Sequence, residues 1–128
     1  MVFYRNLRIM KNRKKKLIYV AGALNADACT YIQNLHRMIK YDNKIRAIGF
    51  STFCPGYDIL GGLLAGNWEY ENYFKNNQAI LERCDGMFLV PGWNSSKGTA
   101  KEIDGANKLE IPIFVNAENM VCYFRHND

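Results

Sequence analysis

Lys16-Leu17-Ile18-Tyr19-Val20-Ala21-Gly22 is the stretch on which the fold turns. A short run of β-branched and aromatic residues, stopped by a glycine, reads as a buried central strand. Asn25 or Asp27 can cap the helix that follows, which runs to about Lys40 and repeats apolar residues at helical spacing through Ala28, Tyr31, Ile32, Leu35 and Ile39. A second strand is predicted from Ile48 to Cys54, stopped by Pro55-Gly56. Residues 55–67 carry Gly56, Gly61, Gly62 and Gly66, a long loop of the kind that is usually functional or mobile. A helical period returns between Trp68 and Arg83, through Tyr70, Phe74, Asn77, Leu81 and Cys84. Gly86-Met87-Phe88-Leu89-Val90 is the third strand, and Pro91-Gly92 ends it. A loop from Trp93 to Gly98 leads into a helix reaching about Leu109, and Pro112-Ile113-Phe114-Val115 is the fourth strand. Around Met120 to Phe124 either a short strand or a helix fits.

Strands that alternate with helices imply right-handed crossovers and an α/β domain, a three-layer sandwich around a four- to five-stranded parallel sheet. Ligands of such sheets bind beyond the carboxyl ends of the strands, near the point where strand order reverses. That rule selects the loops after Ala21, Cys54, Val90 and Val115.

The chain has 128 residues, enough for one domain with a real core. Its 48% apolar and 23% charged residues are those of an ordinary globular protein. The net charge of +5 is local: seven of the 17 Lys and Arg fall in residues 1–16, which contain no acid. Residues 1–15 are therefore read as a basic arm and 16–128 as a single domain, and residues 17–128 carry a net charge of about −2. The arm is either a solvated tail or a contact for nucleic acid or an acidic partner, and nucleic acid is expected only through it. No apolar run approaches the ~20 residues of a membrane span, and no secretory signal follows the basic start. Cys29, Cys54, Cys84 and Cys122 form no CxxC pair and no zinc spacing. Three of them sit within predicted helices or strands and read as small apolar fillers in a reducing cytoplasm.

The richest chemistry lies in Pro91-Gly92-Trp93-Asn94-Ser95-Ser96-Lys97-Gly98-Thr99-Ala100-Lys101-Glu102. Small residues at a helix start let backbone N–H groups approach an anion, and Ser95, Ser96 and Thr99 add hydroxyls. Glu102 has two readings. In Thr99-Ala100-Lys101-Glu102 it can close a capping box on the Thr99 N–H. If Ser96 caps instead, Glu102 lies deeper in the helix and is free to act. An anion grip beside a free carboxylate is the arrangement a nucleotide N-glycosidase needs, with the carboxylate meeting the anomeric carbon. Gly22 and Ala23 open the first helix and can place N–H groups near a ligand, or form an ordinary turn. The full GxGxxG of a dinucleotide site is missing. Trp68, Tyr70, Tyr73 and Trp93 can stack on a base or seal the margin of the core. His36 and His126 read as surface residues, and Asp85 as a cap at the entry of the third strand.

Taken together, Ile18-Tyr19-Val20-Ala21-Gly22, Cys84-Asp85-Gly86-Met87-Phe88-Leu89-Val90-Pro91-Gly92-Trp93, Ser96 to Glu102, Ala106 and Ile111 to Val115 resemble the nucleoside 2-deoxyribosyltransferase-like superfamily. The closest likeness is to its short phage and bacterial branch, related to nucleoside monophosphate N-glycosidases, and it covers roughly residues 16 to 115. The resemblance implies a flavodoxin-like, Rossmann-like fold, cleavage or transfer at the N-glycosidic bond of a nucleoside or nucleotide, no metal or cofactor, and a homodimer or higher homo-oligomer. It maps a glutamate nucleophile onto Glu102, phosphate-binding positions onto Ser96 and Gly98, and a first-loop glycine onto Gly22. Many members place an aspartate that protonates the leaving base where this chain has Asn77. An amide can hydrogen-bond a base but cannot protonate it. The chain is thus expected to be a slow glycosidase, to recruit another acid such as Asp58, Glu69 or Glu71, or to be a nucleotide-binding module without turnover that serves as sensor, sponge or assembly partner.

Overall fold

A computed structural model describes residues 14–24, 27–58 and 70–127. The basic arm, apart from Lys14 and Lys15, and Trp68 and Glu69 lie outside the described residues. β1 (Leu17–Ala21) is followed by α1 (Ala28–Ile48), β2 (Ser51–Phe53), a 3-10 turn (Pro55–Asp58), α2 (Tyr70–Leu81) and β3 (Gly86–Leu89). A second 3-10 turn (Trp93–Ser95) leads into α3 (Lys97–Lys108), then β4 (Ile113–Phe114) and α4 (Ala117–His126).

The sheet of the described residues has the order β2-β1-β3-β4 and is parallel throughout. Tyr19 stands beside Phe53 of β2 on one side and Met87 of β3 on the other. Alternation along each strand divides the core between two faces. Ile18, Val20 and Phe88 pack with Met38, Ile45 and Ile48 of α1 and Met120, Val121 and Phe124 of α4. Tyr19, Ala21, Met87 and Leu89 pack with Leu81 of α2 and Ala106 of α3. The result is a flavodoxin-like three-layer sandwich, with β1 and β3 buried at its centre as the sequence predicts.

Local chemistry sets the element ends. Asp27 caps α1, its Oδ1 accepting the Thr30 N–H at 3.1 Å. α1 runs two turns past Lys40 because the polar-looking segment Tyr41-Asp42-Asn43-Lys44 turns Asp42 inward, where its carboxylate meets Arg46 Nε at 3.1 Å. It stops at Gly49, whose φ of +123° lets Gly49 and Phe50 donate back to the Arg46 and Ile45 carbonyls. Ile48 is therefore a helical core residue, and β2 begins only at Ser51. The C-terminal segment is a helix rather than a strand: Asn116 caps it by accepting the Asn119 N–H at 3.0 Å, and Met120, Val121 and Phe124 recur on one buried face. Among the cysteines, Cys54 and Cys84 are buried fillers, whereas Cys29 and Cys122 are exposed, so the filler reading fails for those two. Their helices turn them outward.

Candidate functional site

The chain leaves β1 toward one face of the sheet and β3 toward the other, which opens a crevice between the loops after these strands. Gly22 lies at its floor. A Cβ there would sit 3.1 Å from Val90 Cβ and 3.3 Å from Met38 Cε, so the close approach of two loops explains the glycine. Ala23 follows in the same half-buried loop. Met38 also reaches Gly56 beyond β2, so the turns of α1 before Met38 rise past the carboxyl edge and wall the crevice. Gly92 adopts φ +94°, and a side chain there would press on Arg37 Nη1 at 3.1 Å.

Ser96 decides between the two readings of Glu102. Its Oγ accepts the Thr99 N–H at 3.1 Å and so takes the cap of α3. Thr99 therefore lies inside the first turn, no Thr99–Glu102 capping box forms, and Glu102 falls one turn further along the inward stripe of Thr99 and Ala106. Its carboxylate leaves its own helix terminus and accepts a hydrogen bond from the hydroxyl of Tyr19, at the middle of β1.

Burial pushes the Glu102 carboxyl up to about 7, with the Tyr19 hydrogen bond pulling the other way. Burial, then the neighbouring Glu102 carboxylate, raises the Tyr19 phenol far above its ordinary value, so Tyr19 remains a proton-bearing donor. At neutral pH Glu102 populates both the carboxylate and the acid.

Two further polar atoms are buried on the helices of this face. Thr99 is buried and its Oγ1 has no hydrogen-bond partner, and Asn77 Oδ1 on α2 is buried and unpartnered as well. Asn77 shares the inward stripe of α2 with Phe74 and Leu81, as its spacing predicts. α2 closes on α3 where the Gln78 amide packs over Gly105, 2.8 Å from where a Cβ would stand, and where Lys101 lies 5.9 Å from the Phe74 ring. Buried polar atoms are rarely left without partners, and such atoms beside a titratable carboxylate are places for ligand groups to bind.

Other expected residues lie elsewhere. Trp93 is half-buried and packs on the Tyr19–Leu81–Met87 cluster, the core-margin alternative of its two readings. Gly98 is half-buried in the first turn of α3, at the crevice. Asp85 Oδ2 accepts the Leu17 N–H at 2.8 Å, tying β1 to the entry of β3 at the opposite edge of the sheet. His36 and His126 are exposed. Among the described residues, no group of three or more His, Cys, Asp or Glu is placed to hold a metal ion.

Tyr19 is the residue that sequence reading missed, because its strand reads as uniformly apolar. The signal was its hydroxyl: a tyrosine on a fully buried strand needs a polar partner. Asp58, at the end of the turn after β2, also lies near enough to raise Tyr19 and Tyr31.

The family model described as a domain of unknown function (DUF4406) matches residues 16–115 of the chain. No curated protein and no solved structure matches it.

Proposed function

We propose that this chain, which belongs to the DUF4406 family, acts at the N-glycosidic bond of a nucleoside or nucleotide through Glu102. The observation that carries the reading is the path of the Glu102 side chain. It leaves its helix cap to Ser96 and is held against Tyr19, beside the unpartnered Thr99 Oγ1 and Asn77 Oδ1.

The chemistry follows from that placement. As the C1′–N bond breaks, positive charge develops at the anomeric carbon, and the Glu102 carboxylate stabilises it or bonds to it. Tyr19 fixes one carboxylate oxygen and leaves the other to face the sugar. The start of α3, where Gly98 adds no bulk, offers backbone N–H groups to a phosphate. Thr99 Oγ1 and Asn77 Oδ1 meet hydroxyl or amino groups of the ligand. Water completes hydrolysis, and a second base in its place completes transfer. The four unpaired cysteines fit a reducing cytoplasm.

The test is to incubate the protein with a panel of nucleosides and nucleoside monophosphates and to follow free base. The reading expects release with at least one substrate and its loss in Glu102→Gln with the fold intact. No release, together with thermal stabilisation by a nucleotide, would assign binding without turnover. Neither release nor stabilisation would remove both readings.

A further inference from the structure

Arg46 and Lys108 each meet a carboxylate four residues back on their own helix, Asp42 and Asp104. Arg37 on α1 is offered none. The positions its helix brings beside it are Gln33, Asn34, Lys40 and Tyr41. Among the described residues its hydrogen bond goes to a neutral amide: Asn34 Oδ1 accepts from Arg37 Nη1 at 3.5 Å, at the long limit for such a bond. We infer that Arg37 grips the phosphate of the ligand, so that the site selects a nucleoside 5′-monophosphate over the free nucleoside. This rests on the nucleotide site proposed above and adds to it a residue that reads the phosphate.

Contacts on two sides place the guanidinium at the rim of the crevice. Arg37 precedes Met38, whose Cε lies 3.3 Å from where a Cβ of Gly22 would stand, at the crevice floor. Its own Nη1 lies 3.1 Å from where a Cβ of Gly92 would stand, so the guanidinium rests on the turn that leaves β3. The Gly92 carbonyl accepts the Ser95 N–H at 3.3 Å and the Ser95 hydroxyl at 2.9 Å, and Ser96 then caps α3. One short turn thus carries Arg37 at one end and the first N–H groups of α3 at the other. On the other side Asn34 is buried, and its Nδ2 donates to the Leu24 carbonyl in the loop after β1 at 3.4 Å. Asn34 therefore links the guanidinium to the second loop of the crevice.

The donors of this rim are unspent. Gly92 and Ser95 are exposed, so an anion can reach the turn. The first turn of α3 holds no acid to meet its positive end, and the exposed Lys97 adds a second positive charge there. Thr99 in the same turn is 1% exposed, and its Oγ1 has no hydrogen-bond partner. A guanidinium carries five N–H donors in a planar fork that matches two phosphate oxygens, and Asn34 takes up one of them. A phosphate lying across the turn meets the fork on one side and the start of α3 on the other.

The experiment measures binding by calorimetry, alongside base release, for wild type, Arg37→Gln and Arg37→Lys. The probes are a nucleoside, its 5′-monophosphate and inorganic phosphate. Wild type is expected to bind the monophosphate more tightly than the nucleoside. Arg37→Gln should weaken the monophosphate by about 10- to 100-fold, leave the nucleoside unchanged, and melt with wild type when no ligand is present. Arg37→Lys should fall between the two, since an ammonium keeps the charge without the fork. Equal binding of nucleoside and monophosphate by wild type would overturn the inference. So would a monophosphate affinity that Arg37→Gln leaves intact, an equal weakening of both ligands, or a loss accompanied by earlier melting of the unliganded variant, which would make Arg37 a prop of the turn. Binding of inorganic phosphate with no binding of the monophosphate would overturn it as well. None of these outcomes touches the glycosidase reading, which base release decides. Monophosphate binding that depends on Arg37, without base release, would uphold the inference and remove the glycosidase reading. Neither binding nor release would remove both.

Discussion

Against α1 and α4 the sheet presents Ile18, Val20 and Phe88; against α2 and α3 it presents Tyr19, Ala21, Met87 and Leu89. The first interface is closed with hydrocarbon and an aromatic cluster in which the Phe124 ring lies 5.7 Å from Phe50, 5.8 Å from Phe114 and 5.1 Å from Tyr123. The carboxylate buried on that side, Asp42, is met by a guanidinium at Oδ2, while its Oδ1 is buried without a hydrogen-bond partner. On the second interface the carboxylate of Glu102 is met by a neutral hydroxyl, and two buried polar atoms nearby have no partner. One set of strands thus serves two ends. A charge that meets an opposite charge steadies the fold, whereas a charge that meets only a hydroxyl stays ready to titrate and react.

The contrast breaks most sharply at Glu102. Glu102→Gln is expected to lower base release on the order of 10⁴-fold, as the loss of a central carboxylate does, while the protein stays folded. Phe124→Ala on the other face should do the reverse. It removes a ring packed against three others and is expected to destabilise by about 3–5 kcal/mol in denaturant unfolding. Its kcat/KM, measured where it is still folded, should match wild type.

Stability against pH sharpens the same comparison. The folded protein holds the Glu102 proton more tightly than the unfolded chain does, with a folded pKa of about 7 against an ordinary 4.5. The stabilisation this gives is fully present below the unfolded value and is lost as the pH rises through the folded one. The swing is on the order of 3 kcal/mol. Glu102→Gln should lack it, so the variant should gain on wild type between pH 5 and pH 8 in thermal unfolding, a comparison that cancels the other carboxylates. The smallest expected effect comes from Tyr19→Phe. Without the hydroxyl, Glu102 rises further, and the pH at which base release reaches half its maximum should move upward by about one unit, or about 1.4 kcal/mol. A fall in rate with no change in that midpoint would make Tyr19 a packing residue only.

Much of the architecture was legible because short apolar runs and helical periods are local properties. β1 and β3 fall where their sequences place them, and α2 and α3 end within two residues of their expected limits. The length of α1 was hidden because its continuation depends on a distant contact: Asp42 looks like a surface residue until Arg46, Tyr57 and the turn after β2 close around it. The site was legible in part for the same reason. Ser96 and Glu102 stand on one helix, and their spacing alone posed the choice between a capping box and a free carboxylate. Ser96 settles the cap, but the partner that the freed carboxylate meets is Tyr19, 83 residues away in sequence, and no local pattern carries that pairing.

The account turns on the state of one carboxyl group. Labelling the glutamate side chains with carbon-13 and titrating the protein by NMR, with Glu102→Gln to assign the signal, measures it directly. The account predicts that Glu102 titrates near 7 in the free protein and that its signal moves when a nucleotide binds. A signal that titrates near 4.5 and ignores every nucleotide would contradict it.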